Sequence, residues 1–346
     1  MTKLRTLAGG EVVLAAGLVV LWSSGFIGAK LGTQNGDAYS MLMWRFLIAT
    51  ALLLGWAWLR RRHRRRLSAR QIGVQAGIGL LAQGVYLLGA VKAVELGVAT
   101  GTAALIAALQ PIAAGALAGP VLGEHVRPWQ WLGLVLGLGG VTLVVGGELD
   151  AGHGVAPLAY ALPVLGMGGL VAATLLERRI GAHVSVADTL TIHCATSATL
   201  FTVLATATGA AAPPDDPAFW PAVAWTIVLS TFGGYAFYWL NLERGGVTRV
   251  SSLIYLTPPT TMVWGMLMFG ETVAATAVAG LGVCLAAVAI VRLQPSAARS
   301  GGGRRRASAR SRGSRRRSGA GRPARPHGAA RPRRPRRRRA GRRPPP

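Results

Sequence analysis

Between residues 11 and 292 the chain is a succession of apolar runs separated by short polar links. An α-helix rises 1.5 Å per residue, so a run of about 20 apolar residues is what crosses the hydrocarbon core of a bilayer. Ten runs meet this description, at 11–29, 38–59, 72–93, 99–117, 129–146, 155–176, 185–207, 219–241, 247–269 and 272–292. Stretches this long and this rich in Leu, Ala, Val and Gly exclude a soluble enzyme or a soluble nucleic-acid module as the main body. The expected fold class is an all-α integral membrane protein with ten transmembrane helices.

Charge then orients the helices. The formal net charge is +26, but 20 arginines and no acid lie from Leu293 onward, which leaves +6 for the rest. Lys and Arg accumulate in short cytoplasmic loops. With the N-terminus inside, Lys3, Arg5, the cluster from Arg60 to Arg70, Arg127, Arg178, Arg179, Arg244 and the tail all fall on one face. The other face carries Lys30 together with Asp37, Glu95, Glu148, Asp150, Asp215, Asp216 and Glu271. An even number of spans with both termini cytoplasmic satisfies this pattern. Lys3 and Arg5 before an apolar run resemble the start of a signal peptide. No convincing cleavage site follows, so the run reads as the first span.

The chain also repeats itself. Glu95 aligns with Glu243, Gly97 with Gly245 and Leu105-Ile106 with Leu253-Ile254 at an offset of 148; Gly123-Glu124 aligns with Gly270-Glu271 at 147. The expected domains are a first five-helix unit over 1–147, a second over 148–293, and a basic tail over 294–346. Five is odd, so the second unit enters the membrane inverted. Inverted repeats are an architecture of secondary transporters, in which substrate sites lie near the midplane between the repeats.

The run Leu21-Trp22-Ser23-Ser24-Gly25-Phe26-Ile27-Gly28-Ala29-Lys30, the triplet Trp44-Arg45-Phe46, Pro111 followed by Gly123-Glu124, and Thr257-Pro258-Pro259 followed by Gly270-Glu271 resemble the EamA family of the drug/metabolite transporter superfamily. The resemblance covers about residues 11–293 and excludes the tail. It implies a secondary transporter, often an exporter, of small metabolites such as amino acids or drug-like solutes, working by alternating access. It does not fix the substrate.

Candidate site residues follow from chemistry misplaced in lipid. Pro111 and Pro258-Pro259 lie near the middle of the fourth and ninth runs. A proline removes the bond to the carbonyl four residues earlier, and such a break is tolerated in a membrane where it faces protein or a watery cavity. Gln110, Tyr255 and Thr257 are placed beside these breaks to bind a polar solute; simple packing kinks are the alternative. Trp22, with Ser23 and Ser24 beside it, and Tyr86 offer apolar faces with a polar handle, although helix packing is the commoner use of such residues. Arg45 lies within the second run, where a charge is unfavourable by about 2.5–3.5 kcal/mol. It either points into a central cavity, binding an anionic group or an internal carboxylate, or snorkels outward to pair with Asp37. Lys92 and Glu95, three apart, are expected to pair with each other. His193 is read as a proton relay or as a hydrogen-bonded packing residue. Glu124 and Glu271, expected to begin the fifth and tenth helices, are read as alternating gates or as helix caps.

No P-loop, metalloprotease or nucleophile-elbow motif occurs, and Cys194 and Cys284 lack ligand spacing, so neither a cofactor, a metal nor catalysis is expected. The expected partners are a small-molecule substrate and the lipid bilayer. The expected location is a bacterial plasma membrane, with both termini cytoplasmic. The tail, all Arg, Pro, Gly, Ser and Ala with few exceptions, cannot bury a core and is expected to be disordered. Two further readings attach to it: a polybasic tether for anionic lipid or nucleic acid, or an unselected extension.

Overall fold

A computed structural model describes residues 2–59, 67–126, 128–150, 154–181 and 184–293 of the chain, with side chains from residue 10 onward except at 245–248, 251–252 and 291–293. The Arg60–Arg66 cluster, Arg127 and the tail from 294 lie outside the described residues. Among the described residues all regular structure is helical. The helices are α1 (Thr2–Gln34), α2 (Ala38–Leu59), α3 (Ala69–Glu95), α4 (Thr100–Leu122), α5 (Pro128–Asp150), α6 (Pro157–Ile180), α7 (Val186–Ala207), α8 (from Phe219 to Ile254), α9 (Thr257–Phe269) and α10 (Ala275–Leu293).

Eight of these, α1 through α8, contain stretches long and apolar enough to cross a membrane; α9 has 13 residues, and the apolar part of α10 is Ala275–Ile290. Their outward faces are as apolar as their inward ones: Leu52, Trp58, Leu165 and Leu267 are 53%, 58%, 65% and 73% exposed. Water would penalise such a surface, and lipid does not.

Local chemistry sets the helix ends. Ser68 caps α3 in a reciprocal box with Gln71, and the Ser185 hydroxyl accepts from the Asp188 amide at the start of α7. Gly123 and Gly270 close α4 and α9 in the left-handed conformation, at φ 71° and 64°, which glycine adopts without a Cβ clash. Glu124 and Glu271 follow these caps directly. The expectation that they begin α5 and α10 is corrected: those helices start at Pro128 and Ala275, and the two glutamates lie in the preceding links.

Several neighbouring helices pack antiparallel. Gly28, Gly25 and Gly17 of α1 meet Thr226, Ser230 and Phe237 of α8, while Gly89 and Gly166 bring α3 against α6. Phe46 of α2 stacks on Phe201 of α7, with ring centroids 5.7 Å apart. In the α5–α10 pair, a Cβ on Gly140 would lie 2.7 Å from the Gly280 carbonyl oxygen. The backbones therefore touch, and close contact of small residues is what holds helices together where no hydrophobic force separates protein from solvent.

The segment Tyr235–Ile254 is helical but not one straight helix, because its neighbours on α1 reverse along it. From Thr226 to Asn241 the contacts descend α1 from Gly28 to Leu14. From Arg249 to Glu271 they ascend it again through Glu11, Ser23 and Lys30. The chain therefore doubles back between Asn241 and Arg249, near the expected boundary of the eighth and ninth runs.

Candidate functional site

Two departures from α-helical geometry flank the bundle centre. Leu80–Val85 of α3 and Thr226–Gly234 of α8 are π-helical. A π-turn widens the helix and disturbs the carbonyl ladder, and such turns concentrate at functional sites. Between them, and closed by α1 and α2, lies a cavity of about 110 Å³ lined by Trp22, Arg45, Gln83, Tyr86, Thr231 and Tyr235 among apolar neighbours.

Arg45 is 5% exposed. Its Nε and Nη2 donate to the Thr231 hydroxyl at 3.2 and 3.0 Å. That hydroxyl in turn donates to the Thr226 carbonyl at 3.0 Å, across the π-turn. The guanidinium stands 5.4 Å from the centre of the Phe46 ring. Asp37, the partner that an outward-snorkelling Arg45 needs, faces Lys92 at 3.8 Å; Lys92 also pairs with Glu95. Gln83 donates to the Tyr235 hydroxyl at 2.7 Å, and Trp22 lies 6.3 Å from the Tyr235 ring. Tyr235 also lines a wider groove of about 670 Å³ with Leu52, Trp56, Leu190 and Trp239, at the C-terminal end of α2 and the N-terminal end of α7. Tyr235 is thus common to the linings of the central cavity and the groove.

Of the residues singled out from sequence, the cavity unites Trp22, Arg45 and Tyr86. Ser23 and Ser24 are buried behind it: the Ser23 hydroxyl donates to the Thr257 carbonyl at 3.3 Å, and that of Ser24 to the Leu21 carbonyl at 2.6 Å. Gln110 donates to Thr174 at 2.9 Å. The prolines stand apart from the cavity. Pro111 and Pro258 open the second segment of α4 and the start of α9, the Pro258 joint being followed by Pro259. The first turn of a helix has no partner for an N–H, so proline is accommodated there. Tyr255 and Pro258 fill the seam among α4, α9 and α10 beside Leu105 and Cys284. The mid-helix kinks expected at these positions are joints between two helical segments. His193 lies in the α3–α7 seam, with Nε2 3.0 Å from the Gln75 Oε1, outside the cavity lining.

Glu124 and Glu271 hold two ion pairs. Glu271 accepts from Lys30 Nζ at 2.6 Å and from the Thr100 hydroxyl at 2.8 Å. Glu124 accepts from Arg178 at 2.8 and 2.9 Å. Thr100 opens α4 and Glu124 follows its last turn, so the pairs sit at opposite ends of a 23-residue helix, about 34 Å apart. Lys30 and Arg178 are themselves separated by 148 residues, the same offset that aligns Glu95 with Glu243. The two pairs differ in burial: the Lys30 and Glu271 side chains are 24% and 11% exposed, while Arg178 and Glu124 are each 46% exposed.

Sequence reasoning passed over Gln83, Thr231 and Tyr235, although a lone Gln within an apolar run was a signal of the same kind as Arg45. It also passed over Arg178 as the repeat equivalent of Lys30. Among the described residues no cluster of His, Cys, Asp and Glu is arranged to hold a metal, and Cys194 and Cys284 are buried free thiols.

The family model described as the EamA-like transporter family matches residues 10–146 and again 159–293. A protein of Archaeoglobus fulgidus named "Uncharacterized transporter" is 25% identical over 262 residues, covering 75% of this chain and 89% of its own length. A solved structure titled "Crystal structure of protein" superposes with a TM-score of 0.58 at 18% identity, over 82% of this chain and 98% of that one. It speaks to the fold alone.

Proposed function

Because the chain belongs to the EamA-like transporter family, we propose that this multi-pass membrane transporter works as a secondary transporter, exporting small metabolites by alternating access between two inverted five-helix repeats. The repeats extend over 1–147 and 148–293, with ten spans, the last two formed by the shorter α9 and α10. Cytoplasmic termini in a bacterial plasma membrane accord with the distribution of Lys and Arg.

The observation that carries the reading is the pair of repeat-related salt bridges. In each, the glutamate after one repeat's glycine cap holds the cation near the end of the other repeat's first helix. Both bridges are formed in this conformation, so as gates on opposite faces each has to break in turn when its own face opens. The Lys30–Glu271 bridge is the more buried of the two and is reinforced by Thr100, and Tyr235 lines both the cavity and the groove. Transport uses the cavity at Arg45, Trp22 and Tyr86, with His193 and the proline joints in supporting positions. A cavity of about 110 Å³ lies below the 300–1,000 Å³ usual for drug-sized ligands, which favours amino-acid-sized solutes over larger drugs.

The test is flux through purified protein in liposomes, paired with Glu271→Gln and Glu124→Gln. Altered flux in both variants supports the gates. Unchanged flux in both directions in both variants removes the gating role.

A further inference from the structure

We propose that the central cavity is a site for small organic monoanions, with a substrate carboxylate seated on Arg45 and the substrate's apolar body against Trp22, Tyr86 and Phe46. The proposal rests on reading this cavity as the transport site and adds the chemical class of the solute.

The first step is a donor count. A guanidinium offers five N–H donors and accepts none. Arg45 directs donors from Nε and Nη2 to the Thr231 hydroxyl, which leaves donors at the cavity wall. Among the described residues Arg45 forms no ion pair, and none of the side chains lining the cavity is acidic. A buried cation without a counter-charge is strongly unfavourable. An incoming carboxylate supplies both the charge and the acceptors, and its two oxygens match the fork of a guanidinium.

The orientation of the fork is fixed from behind. The Thr231 hydroxyl accepts from Arg45 and spends its own proton on the Thr226 carbonyl, so it cannot turn toward a substrate. The ring of Phe46 packs at 5.4 Å from the guanidinium. Held in this way, Arg45 presents its remaining donors without rearrangement, which reduces the ordering cost of binding.

The remaining wall sets the rest of the ligand. Arg45 is the single Lys, Arg or His in the lining, so one negative charge is matched and a second is not. A monocarboxylate fits this balance better than a phosphate dianion. The aromatic and aliphatic residues across from Arg45 supply contact area for a short hydrocarbon or an aryl group.

The experiment uses the full chain in lipid nanodiscs and titrates two matched trios by calorimetry: isovalerate, isovaleramide and isopentylamine, then phenylacetate, phenylacetamide and phenethylamine. In at least one trio the carboxylate is expected to bind at least about tenfold tighter than its amide and amine, the effect of one charged hydrogen-bonded pair. Arg45→Met is expected to abolish that preference. Thr231→Val keeps the charge but frees the fork, and is expected to weaken carboxylate binding more than amide binding, so that the preference narrows; it also serves where Arg45→Met fails to fold. Equal binding within both trios, a preference for the amine, no binding by any probe, or a preference that survives in both variants overturns the proposal. Flux of the same probes in liposomes separates the two readings. Transport of an amide or amine without carboxylate binding sinks the anion site and leaves the transporter standing. Carboxylate binding without flux of any probe keeps the site and counts against its use in transport.

Discussion

The unequal burial of the two salt bridges has a measurable consequence. Glu271→Gln removes the charge opposing Lys30, where both side chains are largely buried and Thr100 adds a hydrogen bond. Exposed pairs contribute about 0–1 kcal/mol, and breaking a fully buried one is unfavourable by about 3–5 kcal/mol. A pair at 24% and 11% exposure falls between, at about 2 kcal/mol, which is about a thirtyfold shift in a two-state equilibrium. Glu124→Gln acts on a pair at 46% exposure on each side and is expected to shift the equilibrium by no more than about fivefold. The assay places Ala29→Cys, a cavity-lining position beside Lys30, in a background with Cys194 and Cys284 replaced by Ala. A membrane-impermeant thiol reagent is applied from the Lys30 face. Glu271→Gln should raise the labelling rate about thirtyfold, and Glu124→Gln should leave it level or lower it. Equal rates in the two variants would refute the assignment of Lys30–Glu271 as the closed gate.

Three other outcomes follow from the packing. Gly140→Ala places a Cβ 2.6 Å from the Cys284 sulfur and 2.7 Å from the Gly280 carbonyl, so it should destabilise the protein by about 1–3 kcal/mol in thermal unfolding in detergent, whereas Gly139→Ala, with nothing nearby, should not. Gln83→Leu leaves the Tyr235 hydroxyl without its donor at the lining common to cavity and groove, and should lower transport while perturbing stability by about 1–3 kcal/mol; unchanged flux would mean that this lining is not on the path. His193→Gln retains a hydrogen-bonding group in the α3–α7 seam, and the shape of the pH profile of transport should survive it; a profile that loses an inflection would restore His193 as a proton relay.

Much of the fold was legible because the membrane imposes one rule on every span. The apolar runs locate α2 to α7 to within about five residues at each end, while α1 begins well before its run and α8 continues well beyond it, and Arg45, Trp22 and Tyr86 stand out as groups that lipid does not accommodate without a reason. The relation of Glu124 to Glu271 was legible through the repeat. Their partners were less so: Lys30 was in view as a loop cation, but its equivalence to Arg178 emerges only when both are seen opposite glutamates. The π segments left no trace, since Leu80–Val85 and Thr226–Gly234 read as ordinary apolar helix and their extra residue per turn has no periodic signature over so short a stretch. The prolines misdirected the reading of the site. Their effect on a helix is local, and nothing in a linear pattern distinguishes a kink that opens a cavity from a joint between two helical segments.

The central claim is that this chain moves small solutes through the cavity at Arg45. The direct measurement is flux of radiolabelled amino acids and small organic acids into proteoliposomes holding the purified full chain, with and without a pH gradient, beside the same liposomes carrying Arg45→Met. The account predicts saturable, protein-dependent flux of at least one solute that the substitution reduces at least tenfold. Absence of flux for every solute under every gradient, or flux indifferent to Arg45→Met, would contradict it.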